Sequence, residues 1–261
     1  MAIIKYMNPS GNITAIVRSK VEDKDRIPLA KSIIENEKAE QVGFQTLPKM
    51  GGDCRIEMMG GEFCANAVRC MAYLKAMEKA SKGRHDIKVE VTGVPAPVVS
   101  HVDLDKKQAF VEMPLPLGTE YIEMKNDKRP IIRMPGIDHL ILEGVEADGE
   151  LAEEAVNEVR KKCGSDACGI LFLNGDEMTP AVYVRGTESL VFESSCGSGS
   201  VAAAWYLAGA TGMIQKDGVY MFKFTEPGGI IQAGIMIKNG RLAQCMMGGE
   251  IEEGEEEVSL S

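Results

Sequence analysis

Gly60-Gly61-Glu62-Phe63-Cys64-Ala65-Asn66 and Val191-Phe192-Glu193-Ser194-Ser195-Cys196-Gly197-Ser198 are the two stretches on which the fold turns. Each is a turn of mostly small and polar residues carrying one cysteine, and each opens a helix. Cys64 to Met77 has Val68, Met71, Ala72 and Leu74 on an apolar side, and Val201 to Gly209 is rich in small residues. The two cysteines lie 132 positions apart in a chain of 261 residues, close to half its length. Outward from the first turn, Ile3 to Met7 and Ile13 to Val17 read as strands around the turn residues Asn8 to Asn12. A helix is predicted from Ile27 to Glu37 with Pro28 at its start, followed by strands at Gln41 to Leu47 and Arg55 to Met59. Beyond the first helix, Ile87 to Val91, Pro97 to Val102 and Ala109 to Met113 are strands, and Pro114 to Pro130 reads as a connection. The second series repeats this order: strands at Ile131 to Met134 and Leu140 to Leu142, a helix over Leu151 to Lys162, then strands at Gly169 to Leu173, Ala181 to Val184 and Leu190 to Phe192. The second cysteine turn and its helix follow, with strands at Val219 to Phe224, Ile230 to Ile237 and Gln244 to Met247. Strands, helix, strands, a cysteine turn, a central helix and more strands, in that order twice, point to an internal duplication.

Composition bounds the chemistry. With 44% hydrophobic and 26% charged residues the chain is an ordinary globular protein with material for a core. It contains no apolar run of about 18 residues, and its opening is strand-like rather than signal-like, which predicts a cytoplasmic protein without a membrane partner. A net charge of −10 argues against nucleic acid and anionic membranes as partners. Six glutamates among the last twelve residues read as a solvated terminal segment.

Seven irregularly spaced cysteines do not form a disulfide framework and read as free thiols. Five of them, Cys54, Cys70, Cys163, Cys168 and Cys245, read as packing residues. Cys64 and Cys196 differ because a helix start, with unpaired N–H groups and a positive dipole end, favours a thiolate. None of the seven forms a CxxC pair, and His85, His101 and His139 are scattered, so no metal site is expected and His139 reads as structural. Gly197-Ser198-Gly199 lacks both a dinucleotide fingerprint and a P-loop lysine, but a helix start of this kind can hold a carboxylate. Pro227-Gly228-Gly229 reads as a plain turn.

The pair Cys64-Ala65-Asn66-Ala67-Val68-Arg69-Cys70 and Cys196-Gly197-Ser198-Gly199 resembles the two active-site motifs of the diaminopimelate epimerase family, cofactor-independent two-thiol racemases. Gly11-Asn12, Val42-Gly43-Phe44 and Pro227-Gly228-Gly229 fall in the family's order, so the resemblance spans nearly the whole chain. Within that family, Asn8-Pro9-Ser10-Gly11-Asn12, Glu40-Gln41-Val42-Gly43-Phe44, Glu62-Phe63-Cys64 and Glu193-Ser194-Ser195-Cys196 are most like the histidine racemases of staphylopine-type metallophore biosynthesis. The residues with which diaminopimelate epimerases grip a distal carboxylate are depleted: the Asn-Pro-His string reads Gly136-Ile137-Asp138-His139, an Asn near Cys168 is missing, and of a Glu-Arg pair only Glu188 remains. Ala65 and Ala67 stand where the histidine racemases usually have glycine.

The resemblance implies an α/β (α+β) fold of two pseudo-symmetric halves, each a mainly antiparallel sheet around a central helix, with the active site in the cleft between them. The halves would be residues 1–116 and 117–249, with 250–261 returning to the first. It implies an isomerase without cofactor, acting on a small-molecule amino acid, with a homodimer left open. Cys64 and Cys196 would serve as thiolate base and thiol acid on opposite faces of Cα. Backbone N–H groups at Ala65-Asn66 and Gly197-Ser198 would hold the α-carboxylate, and Asn12 and Asn66 would orient the substrate. Glu40, Glu188 and Glu193 would receive an ammonium or imidazole group, which favours histidine over diaminopimelate. The alternatives are a racemase of another basic amino acid or of diaminopimelate, a dehydratase or isomerase on the same scaffold, and a non-catalytic amino-acid-binding protein.

Overall fold

The apolar opening folds as β1 (Ala2–Asn8), which returns through Ser10 and Gly11, both with left-handed φ (65° and 91°), into antiparallel β2 (Thr14–Val17). The computed structural model describes residues 2–259 apart from residues 37, 166 and 187. It divides into two compact units: residues up to Glu112 together with those from Gly248 onward, and Met113–Met247.

In the first unit α1 (Asp23–Glu35) crosses from β2 to β3 (Gln41–Thr46), which lies parallel to β2. β4 (Cys54–Met58) runs antiparallel to β3. α2 (Ala65–Lys79) then crosses to β5 (Arg84–Val91), parallel to β4, and β6 (Val98–Asp103) and β7 (Gln108–Met113) add antiparallel pairs. Ile4, Val17, Val42 and Phe44 from the strands pack with Ala30 and Ile33 of α1. α1 begins five residues before Pro28, not at it: Asp23 and Asp25 in its first turn suit the positive end of the helix, which tolerates the proline at one lost bond. Of the expected helix end, residue 37 lies outside the described residues. α2 is not one-sided. Every residue from Ala65 to Leu74 is buried, because the helix touches β2, β4, β5 and β6 at once.

The second unit opens with β8 (Gly118–Met124) and β9 (Asp127–Met134), a hairpin where the sequence predicted an irregular connection. Its two-residue turn, Lys125 and Asn126, has both φ values positive (51° and 67°), matching the twist of the paired strands. β10 (Ile137–Glu143) pairs antiparallel with β9, and α3 (Gly149–Lys162), capped by the Asp148 carboxylate, crosses to the parallel β11 (Ala167–Asn174). β12 (Glu177–Val184) pairs with β11 and with β13 (Ser189–Phe192), both antiparallel. α4 (Gly197–Ala210) then leads to β14 (Gly218–Glu226), parallel to β12, and β15 (Gly229–Lys238) is antiparallel to β14. Phe172, Leu140 and Ile170 pack against Ala152, Ala155 and Val159 of α3. Such fully buried side chains contribute about 1.5–3 kcal/mol each for Leu, Ile and Phe.

Each unit thus runs antiparallel pair, helical crossover to a parallel strand, antiparallel pair, and a second crossover whose helix starts at a cysteine. β16 (Arg241–Glu250) leads to β17 (Glu252–Ser259), which pairs antiparallel with β1. The acidic segment is therefore a strand rather than a loose tail. Its glutamates are exposed, or half-buried at Glu257, and meet cations, with Lys5–Glu253 at 3.6 Å, Arg18–Glu256 at 3.1 Å and Lys38–Glu257 at 2.5 Å. The result is a mixed α+β, sheet-dominated fold with few helices.

Candidate active site

Cys64 is the N-cap of α2, with extended backbone (φ −126°, ψ 111°), and its Sγ accepts the Ala67 N–H at 3.4 Å, one of the donors a helix start leaves unpaired. It is half-buried, whereas the other six cysteines are buried. Its Sγ also lies 2.7 Å from Gln41 Oε1, on the first residue of β3. Gln41 Nε2 donates to Thr14 Oγ1 at 2.8 Å and to Asn12 Oδ1. Asn12 Nδ2 donates to Glu40 Oε2 at 2.8 Å, and Asn66 Nδ2 donates to Asn12 Oδ1 at 3.3 Å. Arg69 Nη1 closes the chain by donating to Asn66 Oδ1 at 2.9 Å.

This network has a direction. It starts at a cation, Arg69, and ends at an anion, Glu40, so each amide between them has its oxygen toward the arginine side and its nitrogen toward the glutamate. That orientation leaves the Gln41 carbonyl facing the Cys64 thiol. Arg69 is fully buried, with Nε on the Ala109 carbonyl at 2.9 Å and Nη2 on the Glu250 carbonyl at 3.1 Å. Burial lowers its pKa to about 10, so it keeps its charge at neutral pH. Asn12, Glu40, Cys64 and Asn66, four of the residues picked from sequence, thus meet in one cluster, with Ala65 in the first turn of α2. Gln41 and Arg69 complete it. Both stand inside strings quoted above, but nothing in their spacing marks them as linked to the thiol.

Cys196 is the N-cap of α4 (φ −128°, ψ 102°) and is 6% exposed. Burial pushes its thiol well above the ordinary range, and the charge of Glu193, joined by that of Glu226 whenever Glu226 is ionised, pushes the same way against the Ser198 hydroxyl and the Gly199 N–H. Desolvation here opposes the ease of ionisation expected of a thiol at a helix start. Ser198 Oγ lies 3.6 Å from Cys196 Sγ and 3.0 Å from His139 Nε2. His139 is fully buried, and burial pulls its pKa to about 4, which keeps the ring neutral. Among the described residues its Nδ1 has no hydrogen-bond partner. His139, read from sequence as structural, touches a residue of the second cysteine turn.

Glu226 is a further residue hidden from sequence reading. It ends β14 just before the Pro227-Gly228-Gly229 turn and is 3% exposed. It accepts the Cys196 backbone N–H at 2.6 Å, and its Oε1 lies 2.5 Å from Ser200 Oγ. Gly228 N–H bonds the Ser194 carbonyl at 2.8 Å. Gly197 is buried at the helix start, Ser198 and Glu193 are half-buried, and Glu188 sits on an exposed turn with φ 51°, outside this hydrogen-bonded group. Among the described residues no three or more His, Cys, Asp or Glu side chains gather as a metal site, and no helix is long and apolar enough to cross a membrane.

A family model described as the histidine racemase CntK N-terminal domain matches residues 2–254. The chain belongs to the histidine racemase family. A histidine racemase of Fusobacterium nucleatum is 34% identical over 216 residues, covering 77% of this chain and 78% of that one. Among solved structures, a probable proline racemase of Agrobacterium radiobacter superposes with a TM-score of 0.71 at 12% identity, over 100% of this chain and 94% of the other. A phenazine biosynthesis protein of the PhzF family from Enterococcus faecalis reaches 0.64 at 11% identity, over 98% and 97%. At such identities the likeness is one of fold, and the fold is that of proline racemase and PhzF proteins. The narrower diaminopimelate epimerase-like description expected from sequence is not what these neighbours carry. The enzyme is an isomerase, an amino-acid racemase that acts on a small molecule.

Proposed function

We propose that this racemase interconverts L- and D-histidine by a two-base mechanism with Cys64 and Cys196. The observation that carries it is the equivalent position of the two thiols: each caps the second crossover helix of a unit with the same strand and helix order. Inversion at Cα needs a base on one face and an acid on the other, which a single thiol cannot supply. One thiolate takes the Cα proton while the opposing thiol gives its proton to the far face, and the two exchange protonation states in each turnover. This is the pairing that the diaminopimelate epimerase resemblance implies.

The Cα proton is weakly acidic, so the carbanion needs electrostatic help. N–H groups of Ala65 and Asn66 at the start of α2, and of Gly197 and Ser198 at the start of α4, would accept the charge that spreads onto the α-carboxylate. Asn12 and Asn66 are already ordered by Arg69 and Glu40 and so would meet the substrate without reorganisation. Glu40 and Glu193, with Glu188 on its turn, supply negative charge for an ammonium or imidazole and disfavour a distal carboxylate.

Chiral chromatography of a panel of L-amino acids incubated with the protein in deuterated buffer under reductant tests this. Histidine should yield its enantiomer with deuterium at Cα, and Cys64→Ala and Cys196→Ala should each abolish it. Turnover surviving both single changes would sink the mechanism. A product of altered constitution would instead indicate a dehydratase or isomerase.

A further inference from the structure

The carboxyl of Glu226 poses a problem of proton accounting. Cys196 N–H points to its Oε2 at 2.6 Å. Ser200 Oγ lies 2.5 Å from its Oε1 and 3.0 Å from the Cys196 carbonyl. A carbonyl only accepts, and a hydroxyl has a single proton. If the Ser200 proton goes to the Cys196 carbonyl, the short contact to Glu226 needs a proton from the carboxyl. We propose that Glu226 is a positioning residue for Cys196 that works as a neutral carboxylic acid, closing a ring of hydrogen bonds around the turn that bears the thiol. This rests on the two-thiol function proposed above.

In that ring Cys196 N–H donates to Glu226 Oε2, Glu226 Oε1–H donates to Ser200 Oγ, and Ser200 Oγ–H donates to the Cys196 carbonyl. Every proton has one acceptor. The Gly228 N–H bond to the Ser194 carbonyl holds the same turn from its other side. The surroundings suit the neutral form: the side chain is 3% exposed, and the titratable groups facing it from the cysteine turn are Glu193 and Cys196, neither of them a cation. Burial pushes its pKa up to about 8, with Glu193 adding to the rise against the bonds that Ser200 and Cys196 would donate to the ionised form. A neutral Glu226 also spares the Cys196 thiolate of each turnover a second buried negative charge beside it. Ionisation of Glu226 opens the ring at Ser200 and places that charge there, so activity should fall on the alkaline side as this group titrates.

Glutamine can reproduce the ring, with its carbonyl oxygen accepting the Cys196 N–H and its amide donating to Ser200, but it cannot ionise. Glu226→Gln should therefore keep kcat within about threefold of wild type at neutral pH and lose the alkaline decline near pH 8. Glu226→Ala should lower kcat by about tenfold or more at every pH with little change in KM. Infrared difference spectra between wild type and Glu226→Gln should show the carbonyl stretch of a protonated carboxyl at neutral pH. An ionised Glu226 in that spectrum, or a Glu226→Gln enzyme as impaired as Glu226→Ala, overturns the proposal. The infrared measurement reads the carboxyl whether or not Cys196 is catalytic. If Cys196→Ser racemises at the wild-type rate the two-thiol mechanism fails, and with it the role of Glu226 as its positioning residue.

Discussion

Replacing Gly169 with alanine tests the second cysteine turn without touching it. Gly169 on β11 stands opposite His139 on the parallel β10, and a Cβ added there would lie 2.1 Å from His139 Nδ1 and 2.6 Å from Cε1. Non-bonded heavy atoms settle at about 3.5–4.0 Å, so the ring must retreat by more than about 1 Å. The ring is fully buried, so its retreat presses on close-packed neighbours. Overpacking of this kind costs about 1–3 kcal/mol, which lowers Tm by about 2–12 °C for a chain of this size. The retreat also breaks the 3.0 Å contact between Nε2 and Ser198 Oγ, which in turn lies beside the Cys196 thiol. A displacement of about 1 Å at a catalytic group is worth up to about 100-fold in kcat. Differential scanning calorimetry, steady-state racemisation and the nitrogen chemical shifts of His139 would be compared with those of Gly149→Ala. At Gly149, the first residue of α3, a Cβ meets nothing within 4 Å. A Gly169→Ala protein with wild-type Tm, kcat and ring shifts would refute the placement of His139 and its link to Ser198.

Arg69→Met should destabilise the protein by about 3 kcal/mol, because the Ala109 and Glu250 carbonyls and Asn66 Oδ1 lose a buried donor together, and urea unfolding measures it. Glu40→Gln should raise KM for histidine about tenfold with a smaller effect on kcat, since it removes the anion that ends the amide network. A fall in kcat with KM unchanged would instead indicate a role confined to the transition state. Burial alone would raise the Glu90 carboxyl, but N–H bonds from Lys49, Gly52 and Met50 and the Arg55 guanidinium outweigh it and hold its pKa at about 2. The stabilisation from Glu90 is therefore complete above its unfolded value near 4.5 and is lost as pH falls toward 2. Glu90→Gln should flatten the acid limb of Tm against pH, and an unchanged limb would assign it to other carboxylates.

Much of the scaffold could be read from residue pattern. Both cysteine-capped helices announce themselves, because a polar or small-residue turn is followed by apolar residues at helical spacing in α2 and by a run of alanines in α4. The β8–β9 hairpin stayed hidden because its turn is Lys125-Asn126, with a lysine in the left-handed region where glycine would have signalled it. The start of α1 was misplaced for a related reason: Pro28 is usual at a first helical position, and here it lies in the interior. At the site, residues beside a cysteine or in a polar turn were legible. Glu226 was not, since its partners Cys196 and Ser200 are contributed by another element and only the folded sheet brings Thr225-Glu226-Pro227 under them. Arg69 failed to stand out because a charged residue on a helix is presumed to face water, and burial on every side of α2 is a property of the sheet around it.

The pairing of β17 with β1 fixes an order of events on the ribosome. Residues 113–247 form an unbroken stretch and can complete their unit as soon as they have left the exit tunnel. The first unit emerges earlier but lacks β17, the strand that covers β1, which is made only after residues 113–247. Until then β1 presents one edge of unpaired N–H and C=O groups, the kind of edge that invites pairing with another chain. A nascent chain stalled before Glu252 should therefore hold a folded second unit and a first unit that binds chaperones, and emergence of β17 should end that binding.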